Sequence, residues 1–338
     1  MGLKVVALGG GHGLAASLSA LRRVTDDVTA VVTVADDGGS SGRLRREFGV
    51  LPPGDLRKAL AALCGDDEWG TTWSRVVQHR FGGDGDLAGH SLGNLLIAGL
   101  WDLLGDPVAG LDWVGRLLRV TGRVLPMAAV PLEIVALVEG VDPAFPEAVS
   151  VVRGQASVAV TPGRVRSISL VPRDPPAVPE AVDAVLSADW VVFGPGSWFT
   201  SVLPHLLVPS LRAALAQTGA RRLVALNLVP QPGETEGFSP HRHLEVLADH
   251  APSLTFDVVL ADRAAVSGSR ERPCQPPRIV ERRAVTHRQV CHQQPATEQA
   301  GRLLQFGGRA GRRAAVGEHH VDRQAGRVVG KHLQVGVR

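Results

Sequence analysis

Two adjacent carboxylates, Asp36 and Asp37, stand where the apolar run Val31–Val34 gives way to Gly38-Gly39-Ser40-Ser41-Gly42. A buried parallel strand ending there carries both carboxylates at its C-terminal tip, the end at which open α/β sheets bind their ligands. Paired carboxylates repel one another unless a cation, a proton or a sugar hydroxyl compensates. The pair can therefore hold Mg²⁺ on a diphosphate, or accept hydrogen bonds from a ribose or base. The glycine–serine run behind it can wrap backbone N–H groups around an anion.

Other loops offer related chemistry. "GGGHG", Gly9 to Gly13, lies between an expected strand and helix, where glycine lets the backbone and a helix N-terminus approach a phosphate. Its register Gly11-x-Gly13-x-x-Ala16 also fits a dinucleotide fingerprint, with Asp36 near the ribose-binding distance, which keeps an NAD-dependent oxidoreductase open. "FGPGSWFTSVLP", residues 193–204, can form a second anion nest with hydroxyls from Ser197, Thr200 and Ser201. "NLVPQPGETEGFS", residues 227–239, brings Asn227, Gln231, Glu234 and Thr235 after another expected strand. "GHSLGN", residues 89–94, sets His90, Ser91 and Asn94 at the start of an apolar helix, where buried polar groups need partners. In "LPPGDLRKAL", Asp55 reads as an N-cap or first-turn acid behind a rigid Pro-Pro-Gly turn, which is satisfactory as structure alone. There is no Walker loop and no H-E-x-x-H.

The elements that must position these residues alternate. Strands are expected at 3–8, 28–34, 190–193, 222–227 and 256–261, and helices at 14–23, 55–64, 92–104, 178–187 and 211–218. Such alternation predicts an α/β fold with a doubly wound, mostly parallel sheet. Residues 131–177 are less regular and predict a small β-rich insertion. Four polar, glycine-rich loops follow expected strands, so they are expected to gather at one C-terminal sheet edge, as a phosphate-bearing ligand requires.

The 338 residues are 44% hydrophobic and 20% charged, as in globular proteins, and no apolar run is long enough to span a membrane. The chain enters its first strand without a cleavable leader, and its three cysteines form no C-x-x-C pair, which together suit a cytoplasmic protein. Charge divides the chain in two. Residues 1–262 carry 21 Lys+Arg against 28 Asp+Glu, whereas residues 263–338 carry 15 against 5. Residues 1–262 are expected to be the nucleotide-binding α/β domain. The basic, aperiodic tail reads either as a disordered extension or as the product of a frame change near residue 263, since Arg outnumbers Lys 33 to 3 as in a GC-rich gene. A nucleic-acid partner is not expected; a homo-oligomer stays open.

Six segments in order, "GGGHGL", "VTVADDGGSSGRLR", "LPPGDLRKAL", "GHSLGNLL", "GPGSWFTSVLPHLL" and "NLVPQPGETEGF", resemble the gluconeogenesis factor (YvcK-like) branch of the CofD-like, or 2-phospho-L-lactate transferase-like, superfamily. The resemblance covers residues 3 to about 262. It implies a three-layer Rossmann-like fold and a cytoplasmic, UDP-sugar-binding regulator of cell shape and cell-wall precursor supply under gluconeogenic growth, with no cofactor required. The transferase relatives use Mg²⁺ and a guanosine diphosphate donor, so a Mg²⁺-dependent transferase is the alternative, with Asp36 and Asp37 on the metal. Carried over by motif, the site residues are Gly10, Gly11, His12, Gly13, Asp36, Asp37, Gly38, Ser40, Asn94, Gly196, Ser197, Asn227 and Glu234. The chain departs from the branch at His12, where threonine is frequent, at Lys58, where asparagine is common, and at Phe199, where tyrosine is frequent.

Overall fold

The computed structural model describes residues 2–229, 231, 234–235, 237–262 and 335–337. Short β-branched runs form the strands and longer amphipathic stretches the helices. β1 (Val5–Gly9) leads through α1 (Gly11–Leu21) to β2 (Val28–Val32). A run of helices follows: α2 (Gly39–Phe48), α3 (Gly54–Ala62), α4 (Glu68–Gln78), α5 (Leu92–Leu104) and α6 (Pro107–Leu118), before β3 (Arg123–Pro126). The insertion comprises β4 (Glu133–Glu139), β5 (Val149–Arg153), the short α7 (Gln155–Val158) and β6 (Arg164–Val171). The α/β rhythm then resumes with α8 (Pro179–Leu186), β7 (Trp190–Phe193), an apolar π-turn and 3₁₀ turn over Trp198–Leu207, α9 (Pro209–Gln217) and β8 (Arg221–Ala225). α10 (Pro240–His250), β9 (Val258–Asp262) and β10 (Val335–Val337) complete the described elements.

The main sheet has the order β10-β9-β8-β7-β1-β2-β3. Every pairing in it is parallel except β10 on β9. β1 is buried along its whole length, as expected of a parallel strand covered on both faces. It lies in register with both neighbours, Val5 opposite Val28 of β2 and opposite Trp190 of β7. From β1 the chain moves outward to β2, and from β7 it moves the other way to β8. The strand order therefore reverses between β1 and β7, which opens a crevice at their C-terminal ends.

Helices cover both faces. α1 packs on α3, α3 on α4 and α6, and α8 on α9. Leu14 and Leu18 of α1, Leu56 and Leu60 of α3, and Leu111 and Leu118 of α6 are essentially fully buried at helical spacing. Burying each contributes about 2 kcal/mol. Phe193, Trp198 and Phe199 fill the core after β7. The insertion forms a separate antiparallel sheet, β5-β4-β6, whose inner residues Ile134, Ala136 and Val138 pack inward while Leu137 faces out. It falls within the expected 131–177.

One local expectation needs correction. Gly38–Gly42 is not a loop: Gly38 is the N-cap and the rest is the first turn of α2, with the Gly42 N–H bonded to the Gly38 carbonyl at 2.8 Å. Small size is the property used there, because a Cβ on Gly42 would lie 1.9 Å from the Asp37 carbonyl oxygen. Of the two places the sequence leaves open for Asp55, the structure gives the first turn of α3, with Pro53 at the cap position. The boundary at 262/263 and the reading of the basic tail lie outside the described residues, β10 aside.

Candidate functional site

The loops after β1 and β7 interlock at the switch point. A Cβ on Gly13 would stand 2.1 Å from the Pro195 carbonyl oxygen and 2.6 Å from the Gly196 Cα, so only glycine permits this approach. Gly10 is packed against Asp55 and Ser201, whose Oδ2 and Oγ would be 2.7 and 3.3 Å from an added Cβ. Thr33, just after β2, donates its hydroxyl to the Ser201 carbonyl at 2.8 Å and so ties β2 to the β7 loop. α1 starts from Gly10 with no side-chain cap and no acid in its first turn, whereas Asp67 and Asp106 cap α4 and α6. Its first N–H groups are thus open to an anion. His12 is exposed on that turn, beside Gly11.

The β8 loop braces the β7 loop. Asn227 accepts from the Gly196 N–H and donates Nδ2 to the Gly196 carbonyl, both at 2.8 Å. It shapes the nest with both ends of its amide. Ser197 Oγ donates to the Glu234 carboxylate at 2.6 Å, and the Phe199 N–H donates to Glu234 Oε2 at 3.4 Å. Ser197 and Thr200 hydroxyls are also bonded to one another. Glu234 is 5% exposed. Burial pushes its carboxyl above the usual range, and the Ser197, Phe199, Thr200 and Trp198 donors pull it part of the way back.

The adjacent carboxylates at the β2 tip have separate partners. Asp36 Oδ1 accepts the Gly38 N–H at 3.0 Å. Asp37 Oδ1 accepts the Ala156 N–H of α7 at 2.9 Å and so anchors the insertion to the sheet edge. A Cβ on Gly154, whose φ is +89°, would lie 2.1 Å from Asp37 Oδ2. The carboxylate that neighbours Asp36 is Asp55. Burial is the main cause of the raised Asp36 pKa; the Asp55 charge adds to the rise, while the Gly38 N–H, the Ser41 hydroxyl and Lys58 oppose it. Lys58 Nζ lies 3.0 Å from Asp55 Oδ1.

A fourth cluster joins α2, α3 and α5. Asn94 Nδ2 donates to Ser40 Oγ at 3.0 Å, and Arg57 Nε donates to Asn94 Oδ1 at 2.9 Å. Ser40 Oγ also meets His90 Nδ1 at 3.0 Å. Asn94 is 1% exposed and Arg57 4%.

Thus Gly10, Gly11, Gly13, Gly196, Ser197, Asn227 and Glu234 gather around the β1–β7 crevice, with Asp36 and Gly38 at the neighbouring β2 tip. Ser40 and Asn94 form a polar cluster behind α2, and Asp37 faces the insertion. Sequence reasoning missed Asp55 as a partner of Asp36, and missed Arg57 altogether. Their signal was charge within the first turn of a helix that follows a rigid turn. A cleft of about 360 Å³ lies elsewhere, lined by Leu60, Arg116, Arg119 and Arg123 at the start of β3, remote from these loops.

The comparisons with known proteins agree with this geometry. The sequence model described as 2-phospho-L-lactate transferase CofD matches residues 5–289. A Mycobacterium tuberculosis protein named "Putative gluconeogenesis factor" is 61% identical over 268 residues, spanning 79% of this chain and 78% of its own. The "Gluconeogenesis factor" of Halalkalibacterium halodurans is 40% identical over 263 residues, 78% of each chain. A crystal structure of a UPF0052 family member from Bacillus halodurans superposes with a TM-score of 0.71 at 38% identity, covering 78% of this chain and 81% of that one. A doubly wound sheet, glycine loops interlocked at its switch point and relatives of this likeness lead to one assignment: the chain belongs to the CofD family, among the relatives that are named gluconeogenesis factors.

Proposed function

We propose that the crevice between β1 and β7 binds a UDP-sugar or similar nucleotide ligand, and that the chain is a cytoplasmic regulator of cell shape and cell-wall precursor supply under gluconeogenic growth. The observation that carries this reading is the open N-terminus of α1 set against the Gly194–Ser197 loop. Two backbone nests and a helix N-terminus converge there with no side chain spent on capping α1. The names of the relatives support the gluconeogenic part of this reading. A thermal-shift screen against UDP-sugars, guanosine nucleotides and NAD(H), with and without Mg²⁺, tests it. A saturable rise with a UDP-sugar, independent of Mg²⁺, is the expected result; a rise confined to NAD(H) would favour an oxidoreductase.

The Asp36–Asp55 pair favours a second reading, a Mg²⁺-dependent transferase with a nucleoside-diphosphate donor. A divalent cation held by ligand phosphates fits beside two carboxylates whose repulsion it relieves. Bound there, Mg²⁺ would neutralise charge on the donor's phosphates. Lys58, ion-paired to Asp55, already supplies one positive charge at this position, which favours the regulator. A rise with guanosine nucleotides that requires Mg²⁺ would reverse the order of the two readings.

A further inference from the structure

Arg57 has no role in the reading above. It is nine-tenths buried, yet among the described residues no carboxylate lies within ion-pair distance of it; its one hydrogen bond runs from Nε to Asn94. Its two Nη groups find no protein acceptor among the described residues. A buried guanidinium in this state calls for an acceptor from outside the protein. Two more arginines converge on the same turn. Arg43 donates to the Ala88 carbonyl at 2.6 Å and Arg80 to the Gly89 carbonyl at 2.8 Å, and neither is ion-paired among the described residues.

The turn itself supplies another donor. Ser40 Oγ receives the Asn94 Nδ2–H and the Ser91 N–H, so its own hydrogen goes to His90 Nδ1. That leaves the proton of a neutral His90 on Nε2. Burial, with Arg43 and Arg80, lowers the pKa of His90, against the pull of Glu47. The cluster adjoins the loop site, because the Asp36 and Asp55 charges act on Arg57. Three cations gathered here, none of them ion-paired among the described residues, repel one another until an anion arrives.

We propose that Arg57, Arg43, Arg80 and the Nε2–H of His90 form an anion subsite that takes a phosphoryl group of the ligand. With the N-terminus of α1, the crevice then has two anion-binding ends, and a diphosphate is the chemistry it recognises. Asn94 is in this scheme a positioning residue, which sets the guanidinium plane through Nε. The subsite rests on the nucleotide reading for its physiological ligand, but its chemistry is tested with inorganic pyrophosphate.

Isothermal titration at fixed ionic strength compares the wild type with Arg57→Gln, with the exposed Arg80→Gln, and with Arg212→Gln on α9 as a control for net charge. Circular dichroism melts check folding, and Arg80→Gln keeps the test decisive where Arg57→Gln fails to fold. The expected result is pyrophosphate binding that weakens at least tenfold in both subsite variants and stays within twofold in Arg212→Gln. Pyrophosphate binding with UDP-glucose inactive would overturn the nucleotide reading and leave the subsite standing. UDP-glucose binding equally to all four proteins would overturn the subsite and leave the reading standing. A wild type that ignores pyrophosphate overturns the subsite too.

Discussion

Glu234 shows how a single buried carboxylate serves this edge. Donors from Ser197, Phe199, Thr200 and Trp198 hold it against the start of the π-turn, yet burial still raises its pKa above the ordinary 4.5. The folded chain therefore binds this proton more tightly than the unfolded chain. The associated stability is fully present below pH 4.5 and is lost as pH rises through the folded value. Urea titrations at pH 4.5 and 7.5 should show Glu234→Gln gaining on the wild type as pH rises; a constant difference would contradict the assignment. Asp37 makes a different prediction. Its carboxylate accepts an N–H at the start of α7, so Asp37→Ala should lose about 1 kcal/mol, of the size seen for helix caps, in the same titration. Asp36→Asn, by contrast, keeps an acceptor for the Gly38 N–H and removes a carboxylate repelled by Asp55, so its stability should hold or rise.

At the scale of elements, close approach decides more than flexibility. Gly13→Ala would drive a methyl into the Pro195 carbonyl and force the β1 and β7 loops apart, at a cost of about 2 kcal/mol or more in chemical denaturation. The turn over Trp198–Leu207 is pinned to the sheet by His205, which is fully buried and donates from Nε2 to the Val31 carbonyl at 3.0 Å. Burial lowers its pKa to about 4, against the pull of its carbonyl partners. Stability tied to His205 is thus present above about pH 6.5 and is lost as pH falls towards 4, by about 3 kcal/mol. Melting curves of the wild type and His205→Gln across that range should diverge in slope. Parallel slopes would show that His205 does not titrate with unfolding. β1, β2, β7, β8, β9, α5 and the β-rich insertion were legible because period and length suffice for them, whereas β3 was not expected. The start of α2 was not, because glycine and serine there serve packing against the Asp37 carbonyl, which a one-dimensional pattern cannot express. The partnership of Asp36 with Asp55 was hidden for the same reason: adjacency in sequence pointed to Asp37, while the β2 tip turned the two carboxylates to different neighbours.

Over the whole molecule, one topological fact organises the site. Because β1, β2, β7 and β8 run parallel, the segments that follow them reach the same edge, and the reversal of strand order between β1 and β7 opens the crevice there; of the four expected glycine-rich loops, the one after β2 is the start of α2. Chemistry borne by helices behind that edge, Arg57 above all, was not legible, since the sequence shows its charge but not its burial. The central claim is that this edge holds a nucleotide sugar with its diphosphate at the N-terminus of α1. The most direct measurement is the thermal stability of the wild type and His12→Glu as UDP-glucose is titrated. His12 is exposed on the open first turn of α1. A carboxylate there should leave the ligand-free protein as stable or raise it by about 0.5 kcal/mol, because it complements the helix dipole. The wild type should gain about 2.7 kcal/mol at a ligand concentration a hundred times its Kd, and the variant should gain nothing at that concentration. Equal stabilisation of both proteins, or of neither, would contradict the account.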